Sequence, residues 1–199
     1  VERLAQTPQS LLAYHSGEPT DPDWPAMEIL TAILADGASS RLYRRLVEDE
    51  AAVVDVGVYL DSGFDPKLTW LYATLPEDGD VASVEAMIDE EIARLVDEGV
   101  TAEELAKARR MKIAGFWRDM QTISGKAQVL GDYQVFHGDY RLLFSAPDRY
   151  RAVTADQVQA LAAGVLRTSN RTVGILQPIA EEEAAAGEEA TAEEASAGD

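Results

Sequence analysis

Residues 33–60, ILADGASSRLYRRLVEDEAAVVDVGVYL, decide the fold, because a loop, a helix and a strand follow one another there without slack. Asp36-Gly37-Ala38 breaks the apolar run that ends at Leu34, and Ser39 or Ser40 can cap a new helix by accepting its orphan N–H groups. Leu42, Tyr43 and Leu46 lie three and four apart and form one apolar stripe, while Arg41, Arg44, Arg45, Glu48 and Asp49 take the other faces. From Val54 the period changes to two. Val54, Val56, Val58 and Leu60 alternate with Asp55, Gly57, Tyr59 and Asp61, which predicts a strand over 53–60 with one face in the core.

Working outward, residues 9–16 (QSLLAYHS) read as a first strand, at an edge or in the centre of a sheet, and residues 26–35 as a helix with Trp24 stapled against its first turn. Downstream, residues 68–75 form a second strand that pairs with 53–60 as a hairpin, with apolar residues on both faces. Asp80 is the expected N-cap of a helix that ends near Gly99. Thr101 and Glu104 form a capping box for a long helix in which Leu105, Ala108, Ile113, Phe116, Met120 and Ile123 share a broad face, with Gly115 and Gly125 as weak points. Residues 128–137 resume as a helix, 141–144 as a short turn that Pro147 interrupts, and Thr154 and Gln157 form a second capping box. Asn170 turns the chain into a last strand, 172–176. The order β-α-α-β-β-α-α-α-α-β predicts an α+β fold: a small, mainly antiparallel sheet covered on one face by helices, with a long helix starting near Thr101.

The 199 residues divide into a folded unit over 1–178 and a Glu/Ala-rich acidic tail over 179–199, too poor in apolar residues to offset its ordering entropy and expected to be disordered or a marginal helix. The net charge is −19, and removing the tail's eight acidic residues leaves −11, so nucleic acid and anionic membrane surfaces are disfavoured as partners. No apolar run is long enough to span a membrane. There is no cysteine, hence no disulfide, thiolate metal site or cysteine nucleophile. The opening VERLAQTPQS has neither an initiator Met nor a signal-peptide core, and we expect a processed chain or a piece of a longer one.

The run SSRLYRRLVEDEAAVV resembles the segment that opens the second helix of the C-terminal domain in pitrilysin/insulinase-type zinc metallopeptidases, the family that includes mitochondrial processing peptidase. GVTAEELAKARRMKIAGFWRDM is similar to a later helix of that domain, and the resemblance spans roughly residues 8 to 178. It implies a non-catalytic domain of a two-domain zinc endopeptidase, forming a wall of the peptide chamber. The zinc would then belong to a catalytic half carrying H-x-x-E-H, supplied in cis or in trans. Peptide substrate, and a homo- or heterodimeric partner, belong to the same expectation. The alternative within the family is a structural or assembly module that handles no substrate. Bacterial relatives are often exported, which makes the periplasm compatible with the resemblance.

The residues themselves carry little catalysis. In H-x-x-E-H two histidines on one helix face hold the metal and the glutamate activates water. Neither His15 nor His137 has a histidine four residues away, so no catalytic or metal residue is assigned. His15 is expected to end a strand, and His137 to sit near a helix C-terminus where its charged form is favoured. The family's chamber-facing Arg and Tyr, seven residues apart, correspond here to Val47 and Val54, so that polar role is not carried over and both are expected to pack in the core or the chamber wall. Asp36, Gly37, Ser39, Ser40 and Arg41 are the candidate substrate contacts: a loop whose N–H groups at a helix start can meet an anion or peptide carboxylate. The simpler reading is a capped turn, with Arg41, Arg44 and Arg45 pairing with Glu48, Asp49 and Glu50 on a solvated face. Glu90-Glu91 and Glu103-Glu104 are read as helix-exterior pairs.

Overall fold

Four segments alternate apolar and polar residues tightly enough to share one sheet, and in the computed structural model, which describes residues 2–3, 7–61 and 63–178, they do. β1 (Glu2–Arg3) runs parallel to the far end of the last strand. β2 (Gln9–His15) is central. It is followed by α1 (Trp24–Ala35), by α2 (Arg41–Tyr43) with a π-helical turn over Arg44–Asp49, and by the hairpin β3 (Asp55–Leu60) and β4 (Leu68–Thr74). Then come α3 (Val81–Glu98), α4 (Ala102–Asp119), α5 (Ile123–His137), a 3-10 turn (Tyr140–Ser145), α6 (Ala146–Ala152), α7 (Ala155–Val165) and β5 (Arg171–Pro178). The strand order is β1-β5-β2-β4-β3, antiparallel at every contact except β1 with β5.

Register sorts the sheet into two faces. Val58, Leu71, Leu12 and Val173 lie side by side on the face toward the helices, and Tyr59, Trp70, Ala13 and Thr172 form the adjacent row on the other. α1 fills the centre of the helical layer: all but Trp24 and Glu28 of its residues are buried, and it touches β3, α2, α4, α6 and α7. Leu30, Leu34, Leu42, Leu46, Leu71, Ile88 and Leu95 are fully buried at the meeting of these elements. At about 25 cal/mol per Å², each contributes roughly 1.5–3 kcal/mol before entropy.

Both capping boxes form. The Thr101 hydroxyl accepts the Glu104 N–H at 3.2 Å while the Glu104 carboxylate accepts the Thr101 N–H at 2.8 Å, and Thr154 and Gln157 do the same for α7. Asp80 caps α3, which ends at Gly99 with a positive φ of 76°. The hairpin is present, and only one face of β4 is fully buried, through Thr69, Leu71 and Ala73.

Several expectations are corrected. Trp24 is the first residue of α1 rather than a staple before it, since Pro25 sits in the first turn, where a missing N–H costs nothing. Pro147 likewise opens α6 instead of interrupting the chain. Ser40 holds the N-cap position with φ −75° and ψ 160°, but its hydroxyl makes no cap bond and stays buried and unpartnered. The helix after it does not run regularly. Glu50 N–H bonds to Arg45 C=O, Ala52 and Val53 N–H both bond to Leu46 C=O, and Ala51 takes a left-handed φ of 48°. This wide closure buries Val53 and leaves Val54 63% exposed before the first ladder residue, so Val54 is not core, while Val47 packs partly against the core. The long face from Leu105 to Ile123 is also broken. Only Leu105 and Ala108 are buried, Met120 to Thr122 turn the chain, and Ile123 is 89% exposed. A Cβ on Gly125 would collide with the Asp119 carbonyl, so this tight corner requires glycine. The tail, residues 179–199, lies outside the described residues.

Candidate functional site

The loop singled out by sequence ends α1 against α4. Asp36, Gly37 and Ser39 are exposed, and Gly37 has a φ of 86° with open space where a Cβ would stand. The Asp36 carboxylate lies 3.6 Å from the Lys112 ammonium, and Lys107 donates to the Ser39 hydroxyl. Arg41 turns the other way. Its guanidinium donates to both Glu104 oxygens, at 2.7 and 3.0 Å, and to the Gly99 carbonyl at 2.8 Å, with Glu91 at 3.8 Å. Arg45 pairs with Glu90 and approaches Glu91 at 3.8 Å. Neither arginine pairs with Glu48, Asp49 or Glu50: Arg41 is taken by α4 and the Gly99 carbonyl, and Arg45 by α3. Glu91 is 3% exposed, so it is a buried anion among Arg41, Arg45 and Arg94 rather than a helix-exterior group. Burial alone would raise the Glu104 carboxyl, but the Arg41 guanidinium and the Thr101 N–H and hydroxyl outweigh it and hold the group at about 2.

A second cluster was invisible in the motifs. α1, α4, α5 and α6 splay around a groove of about 780 Å³. Glu28 lines it, half-buried by area but with its carboxyl enclosed by neighbouring atoms, and accepts a 2.8 Å bond from the Tyr150 hydroxyl. Burial pushes the Glu28 carboxyl up, against the pull of the Tyr150 bond and of Lys112 and Arg149. Burial, followed by the charge of Glu28, pushes the Tyr150 hydroxyl far up, and burial also raises Tyr133. His137 ends α5 as expected and stacks on Tyr133, with centroids 4.8 Å apart. Its charged form is not favoured, however: burial and the Arg149 charge push its pKa down, overriding the helix terminus. The one signal that could have found this place is the lone charge in the otherwise apolar helix WPAMEILTAILA.

The uncovered sheet face is the third feature. Trp70 and Tyr59 stack at 6.2 Å, the Trp70 indole N–H donates to Asp61 at 2.8 Å, and Tyr72 lies over Gly57, where any Cβ would collide with its ring. Leu11 lies beside Tyr72 on this face and is 37% exposed.

None of these places fits a zinc site. His15 ends β2, His137 ends α5, and among the described residues no three His, Asp or Glu side chains are grouped to hold a metal. No described helix is long and apolar enough to cross a membrane.

Residues 1–112 match the family model of the peptidase M16 inactive domain. No curated protein matches the chain. Among solved structures, the chain is similar to a proposed zinc protease from Bordetella pertussis Tohama I, with 29% identity and a TM-score of 0.78 over 87% of this chain and 94% of that one. It is similar at 28% identity, with a TM-score of 0.80, to the inactive peptidase domain of a proposed zinc protease from Bordetella parapertussis, over 91% and 96% of the two chains. A Helicobacter pylori protease shares the fold, with a TM-score of 0.83 at 18% identity; this chain is covered over 89% but spans only 43% of the length of that one. The matched family, the α+β fold and the two Bordetella domains of matching extent agree: the chain belongs to the peptidase M16 inactive domain family.

Proposed function

We propose that this chain forms one wall of the peptide chamber of a zinc endopeptidase and contributes neither metal nor general base. The observation that carries the reading is the one-sided sheet: helices cover one face, while the other exposes a half-buried aromatic row, Tyr59, Trp70 and Tyr72, above small residues at Gly57, Ala13 and Gly174. Such a face suits an extended peptide, whose side chains can stack on the rings while its backbone passes over the exposed Gly174. Zinc and the activated water belong to an H-x-x-E-H half in cis or in trans. The exposed backbone of Asp36, Gly37 and Ser39 is a further proposed peptide contact, whereas Ser40 is buried and Arg41 is engaged by Glu104 of α4, so both would act only by holding the loop in place. Purified alone, the chain is expected to bind no stoichiometric zinc by elemental analysis and to cleave no peptide. Mixed with the catalytic half it is expected to raise cleavage, and Trp70→Ala to lower kcat/KM about tenfold, equivalent to about 1.4 kcal/mol. Chelator-sensitive hydrolysis by the chain alone would overturn the reading. If mixing yields a stable complex whose activity Trp70→Ala leaves unchanged, the chain serves assembly rather than the chamber.

A further inference from the structure

Three arginines in the α1–α4–α5–α6 groove, Arg110, Arg118 and Arg149, have no ion-pair partner among the described residues. That contrasts with the acids beside them. Asp36 faces Lys112 at 3.6 Å and Asp132 accepts from Gln128 at 2.8 Å, so among the described residues Asp119 is the one acid of the groove rim whose side chain meets no partner. Arg149 is the inner of the three cations. It is half-buried and lies within electrostatic reach of Glu28, Tyr133, His137 and Tyr150, and the Glu28 carboxyl, raised by burial, is a weak source of compensating charge. Around it the walls are aromatic: Trp24, Phe116, Tyr133 and Phe136 come from three different helices. A chain with net charge −19 thus keeps an unsatisfied guanidinium beside an apolar slot. At about 780 Å³ the groove lies within the range of about 300–1,000 Å³ typical of ligand clefts.

We propose that this groove binds the C-terminal end of a peptide, with the terminal carboxylate on the Arg149 guanidinium and an apolar last side chain between Phe116 and Phe136. A planar guanidinium matches a carboxylate in two parallel hydrogen bonds, which an amide in its place cannot accept. The last side chain supplies apolar area to the aromatic walls. The groove lies among the helices, on the opposite side of the sheet from the aromatic face of the proposed chamber wall, and shares only Asp36, at its rim, with the contacts proposed above.

The test uses the 199-residue chain and a fluorescein-labelled hexapeptide ending in leucyl-phenylalanine, as the free acid and as the C-terminal amide, followed by fluorescence anisotropy. The acid is expected to bind at least about tenfold more tightly than the amide. Arg149→Met should weaken the acid to the level of the amide, Arg149→Lys should keep part of the preference, and Arg151→Met, on the outer side of the same short helix, should change nothing. Phe136→Ala should weaken both peptides by the same factor, because it removes the apolar contact and leaves the carboxylate contact. Melting temperatures of all variants separate lost binding from lost fold. Equal affinity for acid and amide, no saturation by either, or equal damage from Arg149→Met and Arg151→Met would each overturn the proposal.

Discussion

Two carboxylates in this domain are treated in opposite ways. Glu104, at the start of α4, meets Arg41 in a two-pronged pair, takes two further bonds from Thr101, and is held ionised down to about 2. Glu28, in the middle of α1, meets only a tyrosine hydroxyl at close range and is pushed toward its neutral form by burial, although Lys112 and Arg149 stand nearby. The first arrangement spends its cation on the fold: Arg41 also bonds the Gly99 carbonyl, so a single side chain ties α2 to the α3–α4 corner. The second leaves Arg149 over, since Lys112 is taken by Asp36. An anion with matched partners is a joint, whereas a cluster whose charges do not cancel has capacity for a ligand.

The comparison breaks first if the joint turns out weak. Arg41→Met removes the partner of Glu104 and one of three cations around the buried Glu91, and we expect it to cost about 3 kcal/mol in urea unfolding. A loss below about 1 kcal/mol would mean that this network is a surface ornament. Glu104→Gln is the milder probe, since the amide still reaches Thr101. Because the folded carboxyl titrates at about 2 and an unfolded one near 4.5, the ionised form stabilises the native state above pH 4.5, and that contribution is lost as pH falls toward 2. The wild type should therefore exceed Glu104→Gln by about 1–2 kcal/mol at pH 6, a figure already reduced for solvent screening. The gap should close by pH 2.

These two clusters also mark where sequence reading succeeds and where it stops. The capping boxes at Thr101 and Thr154, the hairpin and the one-sided sheet are local patterns, with donors and acceptors three residues apart or alternating faces, and each was legible. The failures are cooperative. Whether Ser40 uses its hydroxyl depends on how α4 seats against the loop, and whether Val54 is buried depends on a π turn that adds no distinctive composition. Arg41 was legible as a cation but not as a structural one, since its partner is 63 residues away. The groove was illegible for the same reason: the Tyr150–Glu28 bond joins residues 122 apart, and only the isolation of a glutamate in an apolar helix hinted at it. His137 shows the limit from the other side, because a rule about helix ends was outvoted by burial and by an arginine on another helix.

The smallest expected effect is also the most discriminating, because its sign is opposite to that of the joint. A carboxyl raised by burial binds its proton more tightly when folded than when unfolded. Between about pH 4.5 and its folded pKa the native state therefore carries the extra proton, and stability falls as pH rises through that window. The groups facing Glu28 are Tyr150 and Arg149 from α6, Lys112 from α4 and Tyr133 from α5, and Glu28 is the one carboxyl of this cluster. His137 reports on the same groove with the reverse slope, since its lowered pKa adds stability as pH rises toward 6.5, so the comparison must be made by difference rather than on the wild type alone. Glu28→Gln keeps an acceptor for the Tyr150 hydroxyl and removes the titration. Its stability relative to wild type, measured by urea unfolding from pH 4 to pH 8, should start near zero and grow in favour of the variant as pH rises. A flat difference would show that Glu28 stays ionised in the fold, and the contrast between a satisfied joint and an unsatisfied groove would then lose its physical basis.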